Sequence, residues 1–297
     1  MVDLESWQDV PLGEGRIIEV LTTGPESGVP LVFNTGSPGG AASFGPLAAA
    51  ARSRGFRLVH YSRPGFGRST ADPGRSVADA ARDVAAVLDA IGAAEFVTIG
   101  WSGGGPHGLA CAAAMPDRCL AVASVSGFAP FGPVDLDFFA GMEESNTEEY
   151  SLAIAGGAPH ALLLEKQAPK LAGMQWQPLD EVAQRDPAAA DIVAFREFLA
   201  STLRRGLQHG TQGWRDDDLA FMRPWRFDPA LIRCPVAVWG GEKDVAVPPQ
   251  HGRWLASHIP GARAHFDPDL PGHGVLFRVH FREIVDELAD LANLPRH

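Results

Sequence analysis

The chain has 297 residues, enough to bury a large core in one big domain or two small ones. A hydrophobic content of 45% and a mean hydropathy of −0.03 are those of a globular protein in water, and no apolar run reaches membrane-spanning length. The net charge of −11 at pH 7 argues against nucleic acid or an anionic membrane surface as partner.

Three cysteines, Cys111, Cys119 and Cys234, are too few and too scattered for a disulfide framework or a zinc site. Met1–Val10 carries Asp3, Glu5 and Asp9 where a secretory leader would be basic and then apolar. These features predict a cytoplasmic protein with no bound metal and no membrane insertion. The acidity is uneven: residues 129–229 hold 16 Asp/Glu against 9 Lys/Arg, −7 of the −11. A solvated surface is the simplest account, and a site for cationic substrates is the sharper one.

In chain order, Arg16–Thr22, Leu31–Asn34 and Arg57–Tyr61 are β-branched or apolar runs bounded by Gly and Pro, hence strands. A helix begins at Ser76, with Asp79 three residues on as a weaker capping box. Val77, Ala81, Val84, Leu88 and Ile91 share one face of it, and Gly92 ends it. Glu95–Gly100 and Leu120–Ser126 read as further strands. From about 129 to 229 the rhythm changes to helical segments such as Ile192–Leu203, with many aromatics and no convincing strand. Alternation resumes with strand Val236–Trp239, helix Pro248–Ile259 and strand Ala262–Phe266. A last helix carries Phe277, Phe281, Ile284, Leu288 and Leu291 on one stripe. Such alternation predicts an α/β fold, a parallel sheet with helices on both faces. The hundred-residue helical block is too long for a loop and is read as a lid over the C-terminal strand ends. The core domain is then 1–128 with 230–297, and the cap 129–229.

Gly100-Trp101-Ser102-Gly103-Gly104 follows the strand and precedes a helix-compatible run. A serine at so cramped a turn needs neighbours with almost no side chain, and the turn aims the next helix's first amides at whatever the serine attacks. A plain glycine turn would look the same, so the reading depends on partners elsewhere. Serine needs a base, and the base needs a carboxylate to fix its tautomer. Of ten histidines, His273 in Pro271-Gly272-His273-Gly274 stands in a loop before the last helix, with room to face a pocket. His107 is about 140° round a helix from Ser102, and His258, His265 and His280 lie within apparent helix or strand. Asp244, just past a strand tip, is the candidate carboxylate; Glu242 is the nearest rival, while Asp267 and Asp269 sit close enough to His273 to shape its loop.

The order Ser102, Asp244, His273 resembles that of the α/β-hydrolase family from about residue 16 to the end. Thr35-Gly36-Ser37-Pro38-Gly39 resembles the family's H-G-x-P-G loop, and Tyr61-Ser62-Arg63-Pro64-Gly65-Phe66-Gly67-Arg68-Ser69 its D-x-R-G-x-G-x-S loop. The chain departs from the family at Thr35, Tyr61 and Pro64. The resemblance implies an α/β-hydrolase fold with a helical cap inserted after the sixth strand. It implies two-step acyl transfer with Ser102 as nucleophile, His273 as base, Asp244 orienting it, and the Ser37 and Gly103 amides as oxyanion hole. No metal or organic cofactor is then required.

Trp101, Gly36, Phe138 and Trp176 are candidate contacts for a small-molecule acyl substrate in an apolar pocket, although most lid tryptophans (Trp176, Trp214, Trp225) are expected to form the lid's own core. Ester hydrolysis is the first reading. A proline-iminopeptidase-like aminopeptidase is the second, with Glu143, Glu144, Glu148 or Glu149 on the substrate amine. A cofactor-free peroxidase-type side activity, a small-ligand binding protein on the same fold, and a homo-oligomer stay open.

Overall fold

The computed structural model describes residues 5–179, 183–186 and 188–294. Its strands are β1 (Ser6–Gly13), β2 (Arg16–Thr23), β3 (Val29–Asn34), β4 (Phe56–Tyr61), β5 (Phe96–Trp101), β6 (Cys119–Val125), β7 (Val236–Gly241) and β8 (Arg263–Asp267). They form one sheet in the order β1-β2-β4-β3-β5-β6-β7-β8. The first two pairings are antiparallel and all the others parallel. β1 was not expected. It is an edge strand with Val10 as its only buried residue and Pro11 within it, so it lacks the apolar alternation that marks a half-buried strand.

Successive strand residues alternate between two cores, as the pleat requires. Leu31, Phe33, Val97, Ile99, Trp101, Ala121 and Ala123 face α1 (Gly45–Ser53) and α9 (His273–Leu291). Val32, Phe96, Val122, Val236 and Val238 face α2 (Ala80–Ala90), α3 (Gly104–Ala114) and α8 (Pro249–His258). The stripe Phe277, Phe281, Ile284, Leu288 and Leu291 is buried on α9 as its spacing predicts. The Ser76/Asp79 capping box is formed, with the Ser76 amide donating to Asp79 Oδ2 at 2.7 Å. The chain steps outward from β3 to β4 and back across to β5, so strand order reverses between β3 and β5. Open α/β sheets bind ligands at such a crevice, and Ser37 and Ser102 lie just past these two strand tips.

Between β6 and β7 the chain forms α4 (Glu144–Ala155), α5 (Ala158–Ala172), α6 (Ala189–Leu207) and α7 (Gln212–Phe221), with no strand among the described residues. This is the helical cap after the sixth strand. α6 turns Phe195 and Phe198 toward the sheet: Phe198 stacks on Phe44 (centroids 5.1 Å, 24°), and Phe195 meets Trp101 edge-on at 5.9 Å. Two buried carboxylates tie the cap to the core. Glu19 of β2 takes the Arg205 guanidinium of α6 through Oε1 (2.5 Å) and Oε2 (2.9 Å). Asp217 of α7 accepts from Arg63 Nη2 at 2.6 Å and lies 2.7 Å from Arg75 Nη2. Burial opposes ionisation of Asp217, but the two guanidiniums outweigh it and hold its pKa below the usual carboxylate range.

The cap's own interior is polar at one point. Glu149 accepts from Trp214 Nε1 at 2.9 Å, and Asp218 is hydrogen-bonded to His160 Nε2 at 2.8 Å. Burial raises both carboxyl pKa values well above their ordinary range, and the Asp218 charge pushes Glu149 further up.

Two outcomes follow for stability. Asp217→Ala strands two buried guanidiniums and should lower the unfolding free energy by about 3–5 kcal/mol, whereas Asp9→Ala, which breaks an exposed pair with Arg68, should cost less than about 1 kcal/mol; urea denaturation of both checks the contrast. Glu149 keeps its proton in the folded chain above its ordinary value of 4.5, so the unfolded chain loses that proton first as pH rises. Wild type should therefore lose stability relative to Glu149→Gln from about pH 4.5 upward, and equal thermal midpoint shifts at every pH would contradict this.

Candidate active site

The site begins with a steric constraint. β5 ends at Trp101, Ser102 takes φ +56°, and α3 starts two residues later. A non-glycine residue there costs on the order of 1 kcal/mol, and the surroundings impose it. A Cβ on Gly104 would overlap the carbonyl oxygen of Asn34, and one on Gly100 would overlap that of Gly104. A Cβ on Gly105 would stand 2.7 Å from the Gly127 Cα. The backbone is fixed as well, with Ser102 N–H donating to Val125 O (2.9 Å) and Gly105 N–H to Ser102 O (2.8 Å).

The loop after β3 lies against this turn. A Cβ on Gly36 would sit 3.1 Å from Ser102 Cβ and 3.4 Å from its Oγ, and one on Gly103 would sit 3.2 Å from Ser37 N. The two candidate oxyanion amides therefore belong to adjoining residues. The loop's root is pinned by Asn34, whose Oδ1 accepts from Tyr61 Oη (2.7 Å) and whose Nδ2 donates to Thr98 Oγ1 (2.9 Å). Tyr61 replaces the aspartate usual in the resembling motif and serves this buried contact.

Asp244 stands in the turn after β7. Its Oδ1 accepts the Ala246 and Val247 amides, both at 3.0 Å, and its Oδ2 lies 2.7 Å from His273 Nδ1. Burial would raise the Asp244 pKa, but the His273 ring and the Val247 amide outweigh it and hold the carboxyl below its ordinary value. His273 is the first residue of α9 and not part of the preceding loop; Gly272, at φ +87°, makes the entry turn. Trp101 lies face to face with both His273 (5.9 Å, 25°) and Phe277 one helical turn on (5.4 Å, 16°). A carboxylate on Nδ1 favours the tautomer that leaves Nε2 a bare lone pair, and His273 Nε2 is buried without a protein partner.

The rivals are occupied elsewhere. Glu242 pairs with Arg253, and Asp267 Oδ1 accepts the Asp269 and Leu270 amides that shape the loop before His273. Asp269 is exposed, 3.8 Å from Lys243 Nζ. His107 is buried and bonds the Gly103 carbonyl through Nδ1 at 2.8 Å; burial pulls its pKa down to about 3.

Two of the expected substrate contacts lie apart from Ser102. Phe138 is buried among Phe128, Tyr150 and His251, and Phe128 in turn packs on Phe221. Trp176 is 44% exposed over Arg196, in a groove of about 630 Å³ whose α6 residues include Val193, Arg196, Ala200 and Arg204. That face of α6 is about 160° round the helix from Phe195 and Phe198, so the helix itself separates Trp176 from Trp101. The rings that do approach are Phe221, 3.1 Å from where a Gly103 Cβ would stand, and Phe195, 3.3 Å from where a Gly274 Cβ would stand. Of the lid glutamates, Glu143, Glu144 and Glu148 are exposed, and Glu149 is turned inward to Trp214. The described residues contain no cluster of three or more His, Cys, Asp or Glu side chains placed to hold a metal ion, and no helix among them is long and apolar enough to cross a membrane.

The chain is similar to known proteins over most of its length. The family model for the alpha/beta hydrolase fold matches residues 29–277. A protein of Caulobacter sp. (strain K31) named as a carbamate hydrolase, RutD, is 28% identical over 255 residues, covering 84% of this chain and 86% of that protein. Among solved structures, the esterase RhEst1 from Rhodococcus sp. ECU1013 superposes with a TM-score of 0.63 at 23% identity, covering 99% of this chain and 100% of its own. An enol-lactonase from Burkholderia xenovorans LB400 does so with 0.64 at 20% identity, covering 97% and 100%. With a family match over most of its length and an eight-stranded, mostly parallel sheet flanked by helices, the chain belongs to the α/β-hydrolase fold family.

Proposed function

We propose that the protein is a serine hydrolase that cleaves a small ester or a related acyl substrate through an acyl-enzyme on Ser102. The observation that carries this reading is the 2.7 Å Asp244–His273 contact, with His273 Nε2 left unpartnered and its ring stacked on Trp101, the residue before Ser102 in the strained turn.

His273 Nε2 takes the Ser102 proton as Oγ attacks the acyl carbon, and Asp244 stabilises the imidazolium that forms. The carbonyl electrons move onto oxygen, where the Ser37 and Gly103 amides receive the charge. The tetrahedral species collapses as His273 returns its proton to the leaving oxygen. Water then enters, gives a proton to His273, and attacks the acyl carbon; Ser102 leaves with that proton and the acid is released. The His273 ring and the Val247 amide hold the Asp244 pKa below its ordinary value, which favours the charged form that orients the base.

In this reading residues 129–229 act as a lid on a core of 1–128 and 230–297. Phe195 and Phe221 are its contribution to the acyl pocket, opposite Trp101. The names carbamate hydrolase, enol-lactonase and esterase carried by three similar proteins share one demand, an electrophilic acyl carbon and a stabilised oxyanion, which supports acyl hydrolysis. Of the four lid glutamates offered for a substrate amine, Glu149 is already committed to Trp214 Nε1, and Glu143, Glu144 and Glu148 are exposed on the cap surface.

A fluorophosphonate probe should label the wild type at Ser102 at neutral pH and leave Ser102→Ala unlabelled. p-Nitrophenyl butyrate turnover should fall by at least about 10³-fold in Ser102→Ala; labelling that persists there, or unchanged turnover, contradicts the assignment. Asp244→Asn should lower kcat by about 10³–10⁴-fold with the fold intact, because the amide favours the wrong His273 tautomer. A loss below tenfold would mean that another group orients the base.

A further inference from the structure

A buried ionic group lies beneath the proposed oxyanion hole, and one of its members, Asp217, comes from the cap. Asp217 Oδ2 accepts the Ser37 hydroxyl at 2.5 Å. The same oxygen accepts from Arg63 Nη2 (2.6 Å), and Arg63 also donates to the Thr35 carbonyl from Nη1 (2.5 Å) and to the Gly36 carbonyl from Nη2 (3.4 Å). Arg75 lies 2.7 Å from the other carboxylate oxygen and donates to the Gly213 carbonyl at the start of α7 (3.1 Å). On the far side, His107 Nε2 stands 3.7 Å from Asp217 Oδ1 while its Nδ1 bonds the Gly103 carbonyl. Both residues whose amides form the hole are thus in contact with side chains gathered around one cap aspartate.

We propose that Asp217 is a positioning residue for the oxyanion hole, holding Ser37 and Gly103 in their working geometry so that the hole is complete only while α7 is seated on the core. The inference rests on the reading of Ser102 as nucleophile. Two physical effects carry it. The Gly36–Ser37 peptide has its carbonyl on the Arg63 guanidinium and its N–H on the opposite side. A positive charge at the carbonyl end polarises the unit and strengthens that N–H as a donor. The group of Arg63, Arg75 and Asp217 also carries a net positive charge beneath the place where an oxyanion forms, which favours the transition state over the neutral substrate. Without the carboxylate the guanidiniums repel each other, and the Ser37 hydroxyl loses its hydrogen bond to the cap.

A role confined to holding the cap down predicts something different, and Arg205 provides the comparison. Its bond to Glu19 also joins cap to core, but it touches neither amide. The test measures kcat and KM for p-nitrophenyl butyrate, the inhibition constant of an alkyl trifluoromethyl ketone that forms a hemiketal oxyanion on Ser102, and Tm. The variants are Ser37→Ala, Asp217→Asn and Arg205→Met. Ser37→Ala keeps the amide and removes only the hydroxyl, so it remains informative if Asp217→Asn folds poorly. It should lower kcat by about tenfold, less than deletion of an oxyanion donor, with KM within about twofold and the ketone weakened in the same proportion as kcat/KM. Asp217→Asn should do the same more strongly, while Arg205→Met lowers Tm and leaves kcat and ketone affinity as they were. Ser37→Ala and Asp217→Asn with wild-type kcat and ketone affinity overturn the proposal, as does an equal loss in Arg205→Met. A wild type that the fluorophosphonate does not label at Ser102 overturns the nucleophile assignment itself, which separates the two failures.

Discussion

The architecture of the site depends on one close approach, that of the first turn of α3 to the ends of β3 and β5. Gly104 lies against the Asn34 carbonyl at a separation that admits no Cβ, and Gly100 lies against Gly104 in the same way. A strand that ends so near the next helix has no room for a relaxed connection. Two residues join them and the strain falls on the first: Ser102 takes a left-handed conformation, while Gly103 is already helical. The same contact brings the loop after β3 to the serine, since Gly36 and Ser37 follow Asn34 by two and three residues. The serine turn and the proposed oxyanion loop are therefore consequences of one packing constraint at the point where strand order reverses.

The second organising feature is ionic. Helix–helix and ring contacts seat the cap, but Asp217 and Glu19 place fully buried carboxylates across the seam. Such pairs are weak evidence for net stability, because desolvation of the ions offsets most of their attraction. Their value lies in specificity: a guanidinium fork accepts a carboxylate in only a few orientations. Arg63 spends its remaining donors on the Thr35 and Gly36 carbonyls, so the geometry that fixes the cap also fixes the loop beneath it.

Much of this was legible in the sequence, for identifiable reasons. Parallel strands buried on both faces leave runs such as Phe96–Ile99, and the α9 stripe has the helical period, so fold class and most elements could be read directly. The serine turn advertises itself through glycines that sterics require, and His273 through the glycines around it. What stayed hidden had no local signature. β1 is an exposed edge with a proline. Asp216-Asp217-Asp218 looks like a solvated helix face, yet all three are buried, because their partners Arg63, Arg75, His160 and Gln212 lie mostly far away in the chain. A guide was present in Arg63 and Arg75, two arginines in a segment that otherwise reads as core loop, each needing a buried counter-charge. Trp176 was misplaced because hydrophobicity tells which residues seek cover but not which side of α6 they find it on. Phe195 and Phe221 were no more conspicuous than Phe138, and only the packing of α6 and α7 brings them to Trp101 and Gly103.

The central claim is that Ser102 carries the acyl group through a covalent intermediate. Rapid acid quench of the wild type during turnover of p-nitrophenyl butyrate, followed by peptide mass analysis, tests it directly. An acyl-enzyme on Ser102 gives a peptide containing Ser102 heavier by one butyryl group, absent from Ser102→Ala and accumulating at the rate of the nitrophenol burst. Steady turnover with Ser102 unmodified, or the butyryl group on another residue, would contradict it.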